Sequence, residues 1–332
     1  MIRVLVVDDS AFLRRQLVRL LQLDGDIQVV GEAGDGLEAQ QLADELSPDL
    51  ITLDVEMPRC NGLDALRGIL QKQQLPVLML SSLTSAGAET TIAALRAGAV
   101  DFLHKGSSGE SVDWIDRANQ LREKIRFWAR YRRPSRSLAQ AARGSDVSTP
   151  ELLLIGCSSG GPKALAELLR ASGPLPYVTV IAQHMPPVYT RSLAATLQRL
   201  SGSPVHEVGR GEELTPGCIY IVPGGQHGEL FRAGGGLRMA CHNPEADEVA
   251  PSVDRLFGSA VGMASKILAL VLSGMGRDGA HGAQQLRQAG HRVWVQDPVE
   301  CVVAGMPGAV LRRRAHTGVM TVEQMRSALF AL

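Results

Sequence analysis

Short apolar runs at residues 2–7, 50–53 and 76–80 stop at acidic or hydroxyl-bearing side chains, and between them apolar residues recur at helical spacing, as in Leu13, Leu17, Leu20 and Leu21. Runs this short and continuous predict strands buried on both faces, and their alternation with helical segments predicts a parallel sheet built from βα units. A further short strand is expected around residues 100–103. After a polar, irregular stretch the pattern resumes, with strands at 151–155, 178–183 and 267–272 and a helix carrying Leu165, Leu168 and Leu169. The fold class is therefore α/β in both halves. In open parallel sheets ligands gather beyond the carboxyl ends of the strands, so the residues ending each run are the candidates for chemistry.

The chain has 332 residues, which suits two domains. Lysine plus arginine and aspartate plus glutamate number 34 each, but unevenly: residues 1–110 hold 9 basic and 16 acidic side chains, residues 117–143 hold 9 and 1. The charge change and the pattern together predict a first domain over 1–120, a basic linker over 121–150 and a second domain over 151–332. Ile115, Leu121, Ile125 and Trp128 keep helical spacing over 111–130 and extend the last helix of the first domain, whereas residues 131–150 read as a flexible connector rich in Pro, Ser and Gly. The basic run invites a nucleic-acid partner. A stretch of this kind beside an acidic domain is more simply an intramolecular dock or a solvated face, and no helix-turn-helix pattern follows it, so no nucleic acid is expected. Five cysteines without a C-x-x-C pair suggest neither disulfides nor a zinc site. With no apolar run near the ~20 residues that span a bilayer and no signal peptide at the start, the expectation is a cytoplasmic protein without membrane insertion.

Asp8 and Asp9 end the first strand, Asp54 a middle one, Ser81 follows the next, and Lys105 follows the strand around 100–103. Three carboxylates converging on one sheet edge repel one another, and such a set of hard oxygen ligands suits Mg²⁺. These five positions, with the stretch Asp54-Val-Glu-Met-Pro, resemble the receiver domain of two-component response regulators over about residues 1–120. The resemblance implies a flavodoxin-like, five-stranded parallel sheet and transfer of a phosphoryl group from a histidine kinase to Asp54. It implies Mg²⁺ held by Asp9, Asp54 and the backbone carbonyl of Glu56, with Asp8 acting through water and with Ser81 and Lys105 supporting the phosphoryl group. One departure is Gly106, where receivers usually have proline.

In the second domain a strand runs into Gly156-Cys157-Ser158-Ser159-Gly160-Gly161-Pro162 and then a helix. A serine between glycines at a strand-to-helix turn presents its hydroxyl at the sheet edge, close to helix N–H groups that can receive an oxyanion. Such a serine needs a histidine to take its proton and a carboxylate to orient that histidine. His184, ending the strand at 178–183, is the best-placed base, with His227 as competitor; Asp278, in Ser273-Gly-Met-Gly-Arg-Asp278-Gly, is the best-placed carboxylate. Cys157 reads as a packing residue beside the nucleophile.

The chain order Ser158, His184, Asp278 differs from the Ser, Asp, His order of α/β-hydrolases. The strings around residues 156–161, 183–187, 220–227, 251–254, 273–279 and 301–307 resemble the protein-glutamate methylesterases of bacterial chemotaxis, the CheB family. That resemblance implies a doubly wound α/β catalytic domain with Ser158 as nucleophile, His184 as base and Asp278 as orienting acid, and an oxyanion hole from the backbone amides of Ser159 and Met275. It implies no cofactor in the esterase site. The implied reaction is phosphorylation-activated demethylation of glutamyl methyl esters on chemoreceptors, with glutamine deamidation as a related activity. The implied partners are a histidine kinase and methyl-accepting receptors. Two departures stand out: Glu248-Val249-Ala250 precedes Pro251 where the family usually has His-Arg, and Ala304 replaces a usual aromatic. The rival readings are a non-enzymatic, phospho-regulated receptor-binding module and a transcriptional regulator using the basic linker.

Overall fold

The apolar runs fold as the alternation requires. In the computed structural model, which describes residues 1–330 apart from 83, 106–113, 133, 136, 139–148 and 246–247, the chain divides into two units, Met1–Arg132 and Arg133–Leu332. Gly106 and most of the connector at 131–150 lie outside the described residues.

The first unit comprises β1 (Ile2–Val7), α1 (Ala11–Leu21), β2 (Ile27–Ala33), α2 (Gly36–Leu46), β3 (Leu50–Asp54), α3 (Gly62–Lys72), β4 (Val77–Ser81), α4 (Ser85–Ala97), β5 (Asp101–His104) and α5 (Trp114–Arg130). Its five strands form one parallel sheet in the order β2-β1-β3-β4-β5. All of β3 and β4 and nearly all of β1 are buried, which is why these runs do not alternate with polar residues. Helix starts are set by side chains that satisfy the first free N–H groups: Ser10 for α1, Asp35 for α2 and Asn61 for α3.

The boundary expected at residue 120 falls inside α5, and residues 121–130 belong to the first unit rather than to a linker. Leu121, Ile125 and Trp128 are buried, so the apolar stripe docks the helix along its length. The basic side chains meet acids of the same unit. Arg126 pairs with Asp24 at 2.5 Å and Asp26 at 2.7 Å, and Lys124 with Asp101 at 2.6 Å. The charge change thus marks the surface of one helix, not the end of the domain.

The second unit comprises β6 (Leu152–Cys157), α6 (Gly161–Leu168), β7 (Val178–Gln183), α7 (Pro187–Ser201), β8 (Val205–Glu207), β9 (Ile219–Ile221), β10 (His227–Ala233), β11 (Gly236–His242), α8 (Val253–Ala260), β12 (Ile267–Val271), α9 (Ala280–Gln288), β13 (Arg292–Gln296), α10 (Gly305–Arg312), β14 (Gly318–Met320) and α11 (Val322–Phe330). Seven strands make a parallel sheet in the order β14-β13-β12-β6-β7-β9-β8, and β10 and β11 form a separate antiparallel hairpin. The chain enters at the central strand β6, builds outward through β7, and returns to β12 on the other side. The carboxyl ends of β12, β6 and β7 therefore stand side by side at the point where strand order reverses. In the same unit Asp297, buried after β13, accepts hydrogen bonds from Ser137 Oγ and from Leu138 N–H, the latter at 3.2 Å.

Gly156, next to last in β6, is where α8 meets the sheet: a Cβ there would collide with Val253 Cγ1 in the first turn of that helix. Gly156→Ala is expected to destabilise the second unit by about 1–3 kcal/mol through overpacking, read as a lower midpoint in calorimetry. Adding Val253→Ala should recover part of the loss. An unchanged melting profile for Gly156→Ala would mean that α8 does not seat on β6.

Candidate functional site

The first cluster sits at the carboxyl end of the five-stranded sheet. Asp8 and Asp54 are buried, Asp9 is exposed, and one carboxylate oxygen of each lies within 4.8 Å of the others. Lys105 reaches into the group, with Nζ 2.5 Å from Asp8 Oδ2 and 2.6 Å from Asp54 Oδ2. Burial pushes the Asp54 carboxyl up to about 6 even though Lys105 pulls the other way. One ammonium against three carboxylates leaves the pocket short of positive charge, and among the described residues the Glu56 carbonyl accepts no hydrogen bond. The donor set and its charge fit a hard divalent cation such as Mg²⁺. Ser81, which is the last residue of β4 rather than a residue after it, does not turn its hydroxyl to Asp54. It accepts from Thr91 Oγ1 at 2.7 Å and lies 3.4 Å from the Gly87 carbonyl.

The second cluster lies where β12, β6 and β7 end. Ser158 follows β6 in a turn that Gly160 closes at φ +81°, a conformation that suits glycine, before α6 begins. The turn is tied on both sides: Ser158 N–H donates to the Ser273 carbonyl at 3.0 Å, and His184 N–H donates to the Cys157 carbonyl at 3.1 Å. Among the described residues, Ser158 Oγ and the backbone N–H groups of Ser159 and Met275 have no hydrogen-bond partner within the protein. Cys157 is fully buried, and burial raises its thiol far above the ordinary value, which leaves it protonated.

His184 and Asp278 are in direct contact, Nε2 to Oδ2 at 2.8 Å. Asp278 is held at the N-terminus of α8. Its carboxylate accepts from Val253 N–H at 2.7 Å, Asp254 N–H at 2.8 Å, Gly279 N–H at 2.9 Å and Ser252 Oγ at 3.2 Å. Burial works to raise the Asp278 pKa, but the bonds from His184, Val253 and Asp254 outweigh it, and the group lies below its ordinary value. A helix N-terminus favours that charge further. Ser158 and His184 share no hydrogen bond in this arrangement. With Nε2 on Asp278, the nitrogen of His184 left for another partner is Nδ1.

His227 is buried, and both its ring nitrogens are occupied: Nδ1 faces Ser252 N–H at 3.1 Å and Nε2 faces Glu248 Oε2 at 3.0 Å. It is not brought to Ser158 or to Asp278 directly. Three site residues escaped sequence reasoning. Gln183, buried at the end of β7, donates to the Ser158 carbonyl at 3.0 Å; Ser273 donates to the Ser159 carbonyl at 2.7 Å; Ser252 caps α8 against Asp278. A polar amide closing the apolar run at 178–183 was the legible signal for Gln183. The Ser-x-Asp spacing before a helical stretch was the signal for Ser252.

Both units have counterparts among known proteins. The family model for the CheB methylesterase matches residues 153–329, and that for the response regulator receiver domain matches residues 4–113. A protein-glutamate methylesterase/protein-glutamine glutaminase of Burkholderia lata is 38% identical over 99% of this chain and 95% of its own length. Its counterpart in Salmonella choleraesuis is also 38% identical, over 99% of this chain and 96% of its own length. The crystal structure of the Thermotoga maritima CheB methylesterase catalytic domain is 34% identical with a TM-score of 0.52, covering 55% of this chain and 99% of that one. With a receiver-like acidic site on one parallel sheet, a serine turn beside a His–Asp pair on the other, and relatives matching from end to end, the chain belongs to the CheB family of receiver-linked methylesterases.

Proposed function

We propose that the chain is a phosphorylation-controlled hydrolase that demethylates glutamyl methyl esters on chemoreceptors through Ser158, His184 and Asp278. The observation that carries this reading is the His184–Asp278 pair, fixed on the α8 N-terminus, together with a Ser158 hydroxyl and the N–H groups of Ser159 and, from the loop after β12, Met275 that have no protein partner among the described residues. His184 Nδ1 takes the Ser158 proton as Oγ attacks the ester carbonyl, and Asp278 holds the imidazolium that forms. The Ser159 and Met275 amides receive the oxyanion. Collapse breaks the bond to methoxide, which leaves as methanol with the proton from His184. Water, deprotonated by the same nitrogen, then hydrolyses the acyl-Ser158 ester and releases glutamate. Glutamine enters the same cycle with ammonia as leaving group. A catalyst with these parts has no use in a pure binding module, which disfavours that rival.

In the first unit we assign Asp54 as the phosphoryl acceptor from a histidine kinase. Asp9, Asp54 and the Glu56 carbonyl, with Asp8 through water, would hold Mg²⁺, whose charge when bound offsets that of the phosphoryl oxygens. Lys105 adds a second cation at 2.6 Å from the acceptor. Ser81 reaches the phosphoryl group only by rotating away from Thr91 and the Gly87 carbonyl, and that rotation couples the acceptor to α4. No helix among the described residues is long and apolar enough to cross a membrane.

Ser158→Ala should fold normally and lose at least about a thousandfold in methanol release from a methyl-esterified receptor helix. A Ser158→Ala rate above a tenth of wild type would remove Ser158 as nucleophile.

Asp54 yields a stability prediction with a definite sign. Its carboxyl ionises near 3.8 when unfolded and about 6 when folded. The native state thus binds more protons between these values, and stability falls as pH rises through that window. Asp54→Asn should raise the receiver melting temperature at pH 7.5, by the equivalent of about 3 kcal/mol at most, with the gain vanishing near pH 4. Mg²⁺ should stabilise wild type more than Asp54→Asn. A variant less stable than wild type at pH 7.5 in metal-free buffer would contradict the buried-charge account.

For regulation, a small phosphodonor with Mg²⁺ should raise the methylesterase rate of wild type and leave Asp54→Asn at its basal rate. A chain starting at Ser148 should run faster than the resting full-length protein if the receiver restrains the hydrolase. A slower truncated chain would mean that the receiver contributes to catalysis instead.

A further inference from the structure

His227, the competitor of His184 in sequence, stands at the start of β10. It is almost wholly buried, 1% exposed, so substrate does not reach it. Because Ser252 N–H points at Nδ1 from 3.1 Å, that nitrogen must be the unprotonated one. The ring hydrogen then resides on Nε2 and is donated to Glu248 Oε2 at 3.0 Å. Glu248 is itself braced by Arg255, at 2.8 and 3.2 Å, and by Glu245 N–H at 3.2 Å. It stands in the segment where the family usually has His-Arg.

Ser252 is the next link. As N-cap of α8 it accepts from Arg255 N–H at 3.3 Å, and its hydroxyl donates to Asp278 Oδ1 at 3.2 Å. The following residues, Val253 and Asp254, supply two of the backbone bonds to the Asp278 carboxylate. A peptide plane held at Ser252 therefore orients three of the donors on which Asp278 rests. No atom of His227 needs to touch the reacting ester for its lone pair to matter.

We propose that His227, oriented by Glu248, is a positioning residue of the hydrolase: its Nδ1 anchors the first turn of α8 through Ser252, and that turn holds Asp278 against His184. This rests on the Ser158–His184–Asp278 reading and adds the outer support of the orienting acid. The charged and titratable groups facing the His227 ring are Glu248 on its own loop, Arg255 on α8, and His242 on β11 with ring centres 5.7 Å apart. Glu229 on β10 stands behind them, pairing with His242 and Arg255. Asp278 faces the ring only through Ser252.

The test compares full-length His227→Gln, His227→Asn and Glu248→Ala with wild type, using a peptide bearing a glutamate γ-methyl ester and following methanol release across pH. Asparagine can place its amide oxygen near the Nδ1 position, whereas glutamine carries its amide too far out. His227→Gln should lower kcat about tenfold to a hundredfold, the penalty of misplacing a reacting group by about 1 Å. KM should stay within about twofold, and the acid limb of kcat should move to lower pH as Asp278 loosens its hold on His184. His227→Asn should recover most of kcat. Glu248→Ala, altered at a half-exposed site and therefore expected to fold even if the His227 variants do not, should move kcat and the acid limb the same way by a smaller factor. A lowered melting temperature with kcat and acid limb unchanged in His227→Gln and Glu248→Ala would overturn the proposal. Retained activity in parallel Ser158→Ala and His184→Ala samples would instead overturn the triad on which it rests.

Discussion

The second domain is organised around the Asp278 carboxylate at the start of α8. A half-buried carboxylate with no partners would tend to take up a proton. Here backbone N–H groups, a serine hydroxyl and the His184 ring all donate to it, and charge-assisted bonds of this kind are each worth about 1.5–3 kcal/mol. Two of these donors, the Val253 and Asp254 N–H groups, are ones that the start of α8 leaves unsatisfied. One arrangement thus solves two problems, satisfying the first turn of α8 and keeping Asp278 ionised. It does so only because α8 seats on β6 at Gly156, beside the strands that deliver Ser158 and His184.

The two units use the carboxyl ends of parallel strands in opposite electrostatic senses. Asp278 is provided with donors by the fold itself, and its pKa lies below the ordinary value. Asp54 shares one lysine with Asp8, and its pKa is pushed up to about 6. The first carboxylate has its donors in place without any added ligand. The second is an incomplete site whose charge balance favours an incoming cation, and this is the physical condition for a switch: a ligand can shift an equilibrium only where the states differ in their affinity for it.

That these residues would cluster was legible in the sequence because they end apolar strands. Asp8, Asp54, Ser158 and His184 each stop a buried run, and a parallel sheet brings such ends together whatever lies between them. Partners that reach a site from outside the main sheet were not legible. The β10–β11 hairpin, which turns at Gly234-Gly235 and carries His227 at its start, went unread, as did the contact of Glu248 with that ring. The spacing between Glu248 and His227 gives no sign that they touch. The boundary drawn at residue 120 stands inside α5, although the helical spacing of Leu121, Ile125 and Trp128 already carries the last helix of the first domain to residue 130: net charge along α5 reports its outer surface, whereas these apolar residues decide where the helix docks.

The central claim is that Ser158 is activated by a histidine held on a carboxylate clamp. A peptide phosphonate that mimics the tetrahedral intermediate tests it most directly, because the adduct it leaves can be located by mass spectrometry of the intact chain and its peptides. The account predicts one adduct, on Ser158, forming rapidly in wild type, much more slowly in Asp278→Asn, and hardly at all in His184→Ala. An adduct on Cys157 or elsewhere, or labelling of Ser158 at the same rate without His184, would contradict it.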